Sequence, residues 1–415
     1  MKRFAATAMW AMSALTGAAE DDVFDALHAA LSWNDSRGTV RAQLSGTMDA
    51  ELYRFAQPAP GLIEAGGSTL FAPRLTTFLD VEVGPKLYAF AQARVDRGFD
   101  PESEPLTARW EEYAVRFTPW TDGRFNLQVG RFASVVGNWI QRHGSWENPF
   151  VLAPLPYEHL TGLWDRAAAP SSSVLLSWAH VAPPAPAGVP ADDKYLRLPL
   201  IWGPSYAHGV ALSGTVGHFG YAAEVKNAPL SSRPDTWTRT DFSWSQATVS
   251  GRISYRPSLR WQFGVSASRG SYLQKEARPT LAPGRTLSDY RAVLLGQDAS
   301  FAWHHVQVWA EVFYARFEVP EVGTPEVFAY YVEAKYKLTP QLFVAARWNE
   351  ERFGRIDDPA LGRVRWGGDV WRFDVAPTYR ISPYIQTKLQ YSLQQERGGA
   401  RDLEHLFAAQ ITVRF

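Results

Sequence analysis

The residues able to do chemistry in this 415-residue chain are charged side chains placed at every second position of alternating runs. In an extended strand such positions share one face. Arg41, Arg94, Arg116, Arg252, Arg256, Arg260, Arg347, Arg372 and Lys388 fall there together with Lys226, Lys335 and Lys337. Asp80, Glu82, Glu112, Glu224, Glu311, Glu333 and Asp374 fall on the same face. Twelve basic against seven acidic groups around a narrow aqueous space would favour small anions, because fixed charge sets the local ion concentration. The competing outcome is that the groups pair across neighbouring strands and cancel. Strands 109–118 and 291–302 alternate poorly, so their faces are harder to assign.

A second cluster holds Trp139, Arg142, His143, Trp146 and Glu147, followed by Trp164, Asp165 and Arg166. Aromatic faces beside arginine and acid stack on sugars or grip anionic groups, and they also pin an inward loop to a wall. Covalent and metal chemistry is poorly supplied. None of the nine histidines has His-Glu-x-x-His spacing, and the chain has no Gly-x-Ser-x-Gly elbow and no Walker-type loop. His304 and His305 lie at a predicted turn, as exposed polar residues do. The lack of cysteine removes disulfides, thiolate zinc sites, Fe–S clusters and cysteine nucleophiles. We therefore expect no enzyme, no metal and no cofactor, with a lipase- or protease-like site assembled from separate strands kept as the alternative. A formal net charge of zero gives no reason to expect nucleic acid.

These charges need a sheet to carry them. Val40, Ala42, Leu44 and Met48 alternate with Arg41, Gln43, Ser45 and Asp49, predicting a first strand that runs to about Phe55. Hairpins then follow in series, turning at Gly84-Pro85, Pro119–Gly123, Gly217-His218, Pro257-Ser258, His304, Thr339-Pro340 and Ser382-Pro383. Seven hairpins with the first and last strands give an all-β, antiparallel transmembrane barrel of about 16 strands, with short turns at one end and long loops such as 97–108, 271–290, 318–326, 353–368 and 396–403 at the other. The long segment 133–206 interrupts the series and includes Leu155-Pro-Tyr-Glu-His159. We read it as an inward loop; with 172–180 and 195–203 as strands the count would be 18.

The N-terminus, Met1-Lys2-Arg3, then an apolar run and Ala19 before Glu20, reads as a secretory signal peptide over 1–19. Residues 20–36 space Val23, Phe24, Leu27, Ala30 and Leu31 on one helical face, as a short periplasmic or lumen-entering segment would, and 37–415 form the barrel. No later run is long and apolar enough for a membrane helix. An aromatic content of 14% with a mean hydropathy of −0.24 suits a barrel apolar outside, polar inside and ringed by aromatic girdles.

The stretch His405–Phe415 places Phe407, Ala409, Ile411, Val413 and Phe415 on one face and Leu406, Ala408, Gln410, Thr412 and Arg414 on the other. It resembles the C-terminal strand of bacterial outer-membrane barrels. That resemblance implies that Phe407, Ile411, Val413 and Phe415 are an assembly signal, with barrel-assembly machinery and outer-membrane lipid as partners. Phe415 should then close the barrel beside Val40–Met48. An ordinary terminal strand of a soluble β-sandwich is the competing reading.

With the Leu127-Gln-Val-Gly-Arg-Phe132 strand and the Gly137-Asn-Trp139 element that follows it, the chain resembles the outer-membrane porins, nearest the phosphate-selective and alginate-type channels. The resemblance covers most of the mature chain as a pattern and rests on few specific residues. It implies diffusion of small hydrophilic or anionic solutes across the outer membrane of a Gram-negative-type bacterium, as a monomer or a homo-oligomer. No Lys- or Arg-rich ladder in one stretch matches a phosphate-selective pore, so the solute stays open. The alternative is a plugged outer-membrane barrel with an enzymatic or surface-binding role.

Overall fold

Alternating strands with short turns can satisfy every backbone hydrogen bond only by closing on themselves, and this chain does so. A computed structural model describes residues 17–57, 59–99, 104–181, 194–238, 240–241, 243–397 and 403–415. The expected signal peptide therefore lies almost wholly outside the described residues.

Sixteen antiparallel strands form the barrel. They are β1 (Val40–Phe55), β2 (Thr69–Val83), β3 (Leu87–Asp96), β4 (Thr107–Phe117), β5 (Asn126–Phe132), β6 (Ala207–Val216), β7 (Phe219–Lys226) and β8 (Thr248–Tyr255). They continue with β9 (Trp261–Ser271), β10 (Arg291–Trp303), β11 (Val306–Phe317), β12 (Glu326–Lys337), β13 (Leu342–Phe353), β14 (Val370–Arg380), β15 (Ile385–Glu396) and β16 (Glu404–Arg414). Each pairs with the next, and β16 returns to β1 in the register Gln410↔Glu51, Thr412↔Asp49 and Arg414↔Thr47. Phe415 and Gly46 exchange both backbone hydrogen bonds at 3.0 Å, which closes the ladder where the first strand was expected to receive it.

Side chains sort by face as the alternation requires. Leu52, Ile253, Val265, Leu389 and Phe407 are each more than half exposed on the outside, a belt too apolar for water but suited to lipid. Trp120, Trp261 and Trp303 sit where that belt meets the short turns.

Three differences from the sequence reading, and one choice between its alternatives, have local causes. The first is in β4, where Gln92 pairs with Glu112 but Ala93 pairs with Trp110, so Glu111 is an extra residue in a bulge. This interrupts the period of two in 109–118 and turns both Glu111 and Glu112 inward. Second, the turn between β8 and β9 spans 256–260 rather than two residues. Third, residues 172–180 are not a strand: Ser171 accepts a hydrogen bond from Val174 N and caps a short helix, Ser172–Trp178, whose Val174, Leu175, Leu176 and Trp178 are all buried. The barrel therefore has 16 strands, not 18. Fourth, the hairpin Arg355–Asp358 with Gly362–Arg365 lies within the connection 354–369, beyond the barrel wall.

Near the N-terminus a helix over Gly17–Ala30 stacks Phe24 on Tyr384 with ring centroids 4.9 Å apart, at the short-turn end. Ser32–Asn34 then pairs with Arg41–Gln43 of β1, a strand too short to show a period in the sequence.

Candidate functional site

The interior is the candidate site, and the described residues of segment 133–206 occupy much of it. The segment enters after β5 and exposes backbone amides that need acceptors once they leave water. The wall supplies them. Trp139 N donates to Glu311 Oε1 at 3.0 Å, and Asn138 N donates to the same oxygen. Val151 N and Leu152 N donate to Gln390 Oε1 at 2.7 and 3.1 Å, and Leu155 N donates to Asn349 Oδ1 at 3.2 Å. Tyr157 donates its hydroxyl to Glu311 Oε2 at 2.6 Å. An apolar core forms between the insert and β10–β13, with Trp139, Tyr157, Leu175 and Ile201 packed near Phe313, Phe317, Ala329 and Tyr331.

Ion pairs fasten the same interface. Arg142 reaches Glu333 at 2.6 Å, Arg372 pairs with Glu158, and His159 Nδ1 lies 2.8 Å from Glu351 Oε2. Arg347 is fully buried; it donates to Asp374 at 2.9 Å and to the carbonyls of Leu152 and Ala153 at 3.0 Å each. Its other terminal nitrogen is 3.5 Å from Glu333, an ion pair without hydrogen-bond geometry. Burial pulls the His159 pKa down, but the Glu351 carboxylate more than offsets this and the net shift is upward. Burial dominates at His143 and lowers its pKa.

The residues singled out from the sequence separate into groups. Arg347, Arg372, Lys388, Glu311 and Asp374 face inward and are buried against the insert or the polar wall behind it. Arg252 pairs with Asp298 across two strands at 2.6 Å, and Lys226 with Glu224 at 3.3 Å, so part of the inward charge cancels locally. Arg116 and Glu112 line a cavity of about 340 Å³ with Tyr88, Phe90, Gln128 and Phe132 along β3–β5, and the start of the insert borders it at Ala133, whose amide donates to Glu112 Oε1 at 2.6 Å. Arg94 pairs with Asp96 near the long-loop end. Arg41 and Arg256 lie at the short-turn rim, Arg256 bonded to Gln262 at 2.6 Å.

Arg260 adjoins the start of β9, where its carbonyl accepts from Ala302 N at 2.9 Å, and its exposed guanidinium sits 5.9 Å from the ring of Trp303 at the short-turn rim.

In the insert, Trp139 packs on Tyr157 at 4.6 Å, His143 Nε2 meets Tyr206 Oη at 2.9 Å, Trp146 is buried and Glu147 is exposed. Glu158, His159, Asn349, Glu351 and Gln390 were not singled out. Asn349 and Glu351 continue the alternation of Arg347, a signal the sequence carried, whereas Glu158 and His159 lie in a segment without a period.

No family model and no curated protein matches the chain. Its fold is similar to solved outer-membrane barrels. The outer membrane channel DcaP of Acinetobacter baumannii has a TM-score of 0.56 at 10% identity, over 92% of this chain and 99% of that one. An anion-selective porin from Comamonas acidovorans has a TM-score of 0.53 at 11% identity, over 91% and 100%. OmpT, an outer membrane protein of Vibrio cholerae solved in a trimer form, has a TM-score of 0.53 at 8% identity, over 91% and 100%. At such identities the likeness is one of fold.

Proposed function

We propose that this chain is an outer-membrane porin through which small hydrophilic solutes diffuse, with a mild preference for anions. The observation that carries the reading is a closed barrel, apolar outside and charged inside, whose insert leaves a cavity of about 340 Å³ beside Arg116 and Glu112. Barrels of this size retain an aqueous interior. The structural relatives support a channel and an outer-membrane site, and the trimer form of one of them makes a homo-oligomer a reasonable assembly. Barrel-assembly machinery and outer-membrane lipid are the partners such a barrel needs.

The test is permeation. Liposomes carrying the folded protein should swell in isotonic small sugars and fail to swell in larger ones. A second reading, a plugged barrel with a surface-binding or enzymatic role, is favoured by how thoroughly 133–206 packs against β10–β13. It predicts no swelling with any sugar while the barrel itself remains folded.

A further inference from the structure

At mid-depth the inward cations are matched by carboxylates, as Arg347 is by Asp374, Arg252 by Asp298 and Arg74 by Asp49 and Glu51. The short-turn mouth below β11–β16 is built differently. Here the cations rest on rings. Lys335 Nζ lies 5.7 Å from the centroid of Trp309 and 5.0 Å from that of Phe343. Arg380 lies 5.8 Å from Phe343 and 5.4 Å from Trp146, and Arg414 lies 4.3 Å from the other cation's Trp146. Among the described residues no carboxylate forms an ion pair with Lys335, Arg380 or Arg414. Glu333 is already engaged by Arg142 and Arg347, and Glu147, whose charge acts on Arg380, is exposed. The Nε of Arg380 is buried and has no hydrogen-bond partner.

An aromatic face attracts a cation through its quadrupole without neutralising it. A ring holds a cation in position without bringing the opposite charge that a carboxylate partner would. Three such cations on one wall of the mouth, with guanidinium donors beyond the bond from Arg414 Nε to Pro383 O at 2.8 Å, form a receptor for anions. A monovalent anion can engage one cation at a time, but a multivalent one can span two.

We propose that Lys335, Arg380 and Arg414 form a binding site for small multivalent oxyanions, carboxylate or phosphate, entered from the short-turn mouth. The proposal rests on the anion-preferring channel reading for its role in transport, but binding can be measured without any current. In calorimetric titrations of the folded protein in detergent, citrate and inorganic phosphate should each bind more tightly than acetate, and the tighter of the two identifies the oxyanion. Lys335→Gln/Arg380→Gln should weaken that binding about tenfold or more, the loss of one charge-assisted contact being enough for a factor of ten. Arg124→Gln, which removes an exposed short-turn arginine paired with Asp122, should leave it unchanged. Unaltered heat-modifiable migration shows that each variant has folded, and Lys335→Gln alone is read if the double variant has not.

Equal binding by the double variant and the wild type would overturn the site, and so would an equal loss in Arg124→Gln, which would mean diffuse attraction only. In planar bilayers, citrate added from the short-turn side should reduce chloride current in the wild type but not in the double variant. Variant-sensitive citrate binding without current would leave the site standing and sink the channel reading. Current without citrate binding would do the reverse.

Discussion

Replacing Arg347 with methionine should release the insert from the wall while leaving the barrel closed. The guanidinium is fully buried and joins Asp374 and Glu333 of the wall to the carbonyls of Leu152 and Ala153 in the insert, over the ring of Phe150 at 4.2 Å. Methionine keeps much of the length but none of the charge. Asp374 retains Arg372, Ser392 and Asn349, so the wall is partly compensated, whereas the two insert carbonyls lose this donor. Removing one partner of a buried ion pair costs about 3–5 kcal/mol. The ladder bonds between β12, β13 and β14 are backbone bonds and persist. The cost therefore falls on docking of the insert, shifting its docked-to-released ratio by roughly 10² to 10⁴. Two measurements read this. Trypsin should cut wild-type protein slowly at Arg142 and Arg166 and cut the variant quickly, and single-channel conductance should become larger and noisier. Wild-type protection and conductance in Arg347→Met, with the variant folded, would refute the claim that this ion network holds the insert.

Gly46 carries a second prediction: a Cβ there would lie about 2.5 Å from the Phe415 ring, so Gly46→Val should impair closure between β16 and β1. Heat-modifiable migration on gels checks it, and a normal folded fraction would show that this contact is dispensable. The His159–Glu351 pair adds a pH dependence. Because the folded pKa of His159 is raised above the ordinary 6.5, its contribution is fully present below that value and is lost as pH rises through the folded pKa. Proteolytic protection of the insert should fall across that window in the wild type and stay flat in His159→Gln; identical profiles would remove the pair from the account.

How much was legible in the sequence depended on period. Where β1 and β16 alternate strictly, both the element and its inward face could be read, because one face must be wet and the other dry. Lys335, Glu333, Arg347 and Asp374 were placed inward on that ground alone. In β4 a single extra residue at Glu111 hid the pattern. What alternation cannot show is who stands opposite. Glu311 was read as a lumen charge, yet it is the acceptor for Asn138, Trp139 and Tyr157, a role that requires knowing the path of an insert with no repeating pattern. The same limit explains Arg372 and Lys388, whose partners Glu158 and Ser145 lie more than 200 residues away in sequence.

The central claim, that this barrel conducts, is tested most directly by single-channel recording of the purified protein in a planar bilayer under a potassium chloride gradient. The account predicts discrete openings with a reversal potential displaced toward chloride. A reversal potential displaced toward potassium would contradict the anion preference, and an absence of openings where a known porin opens would contradict the channel itself.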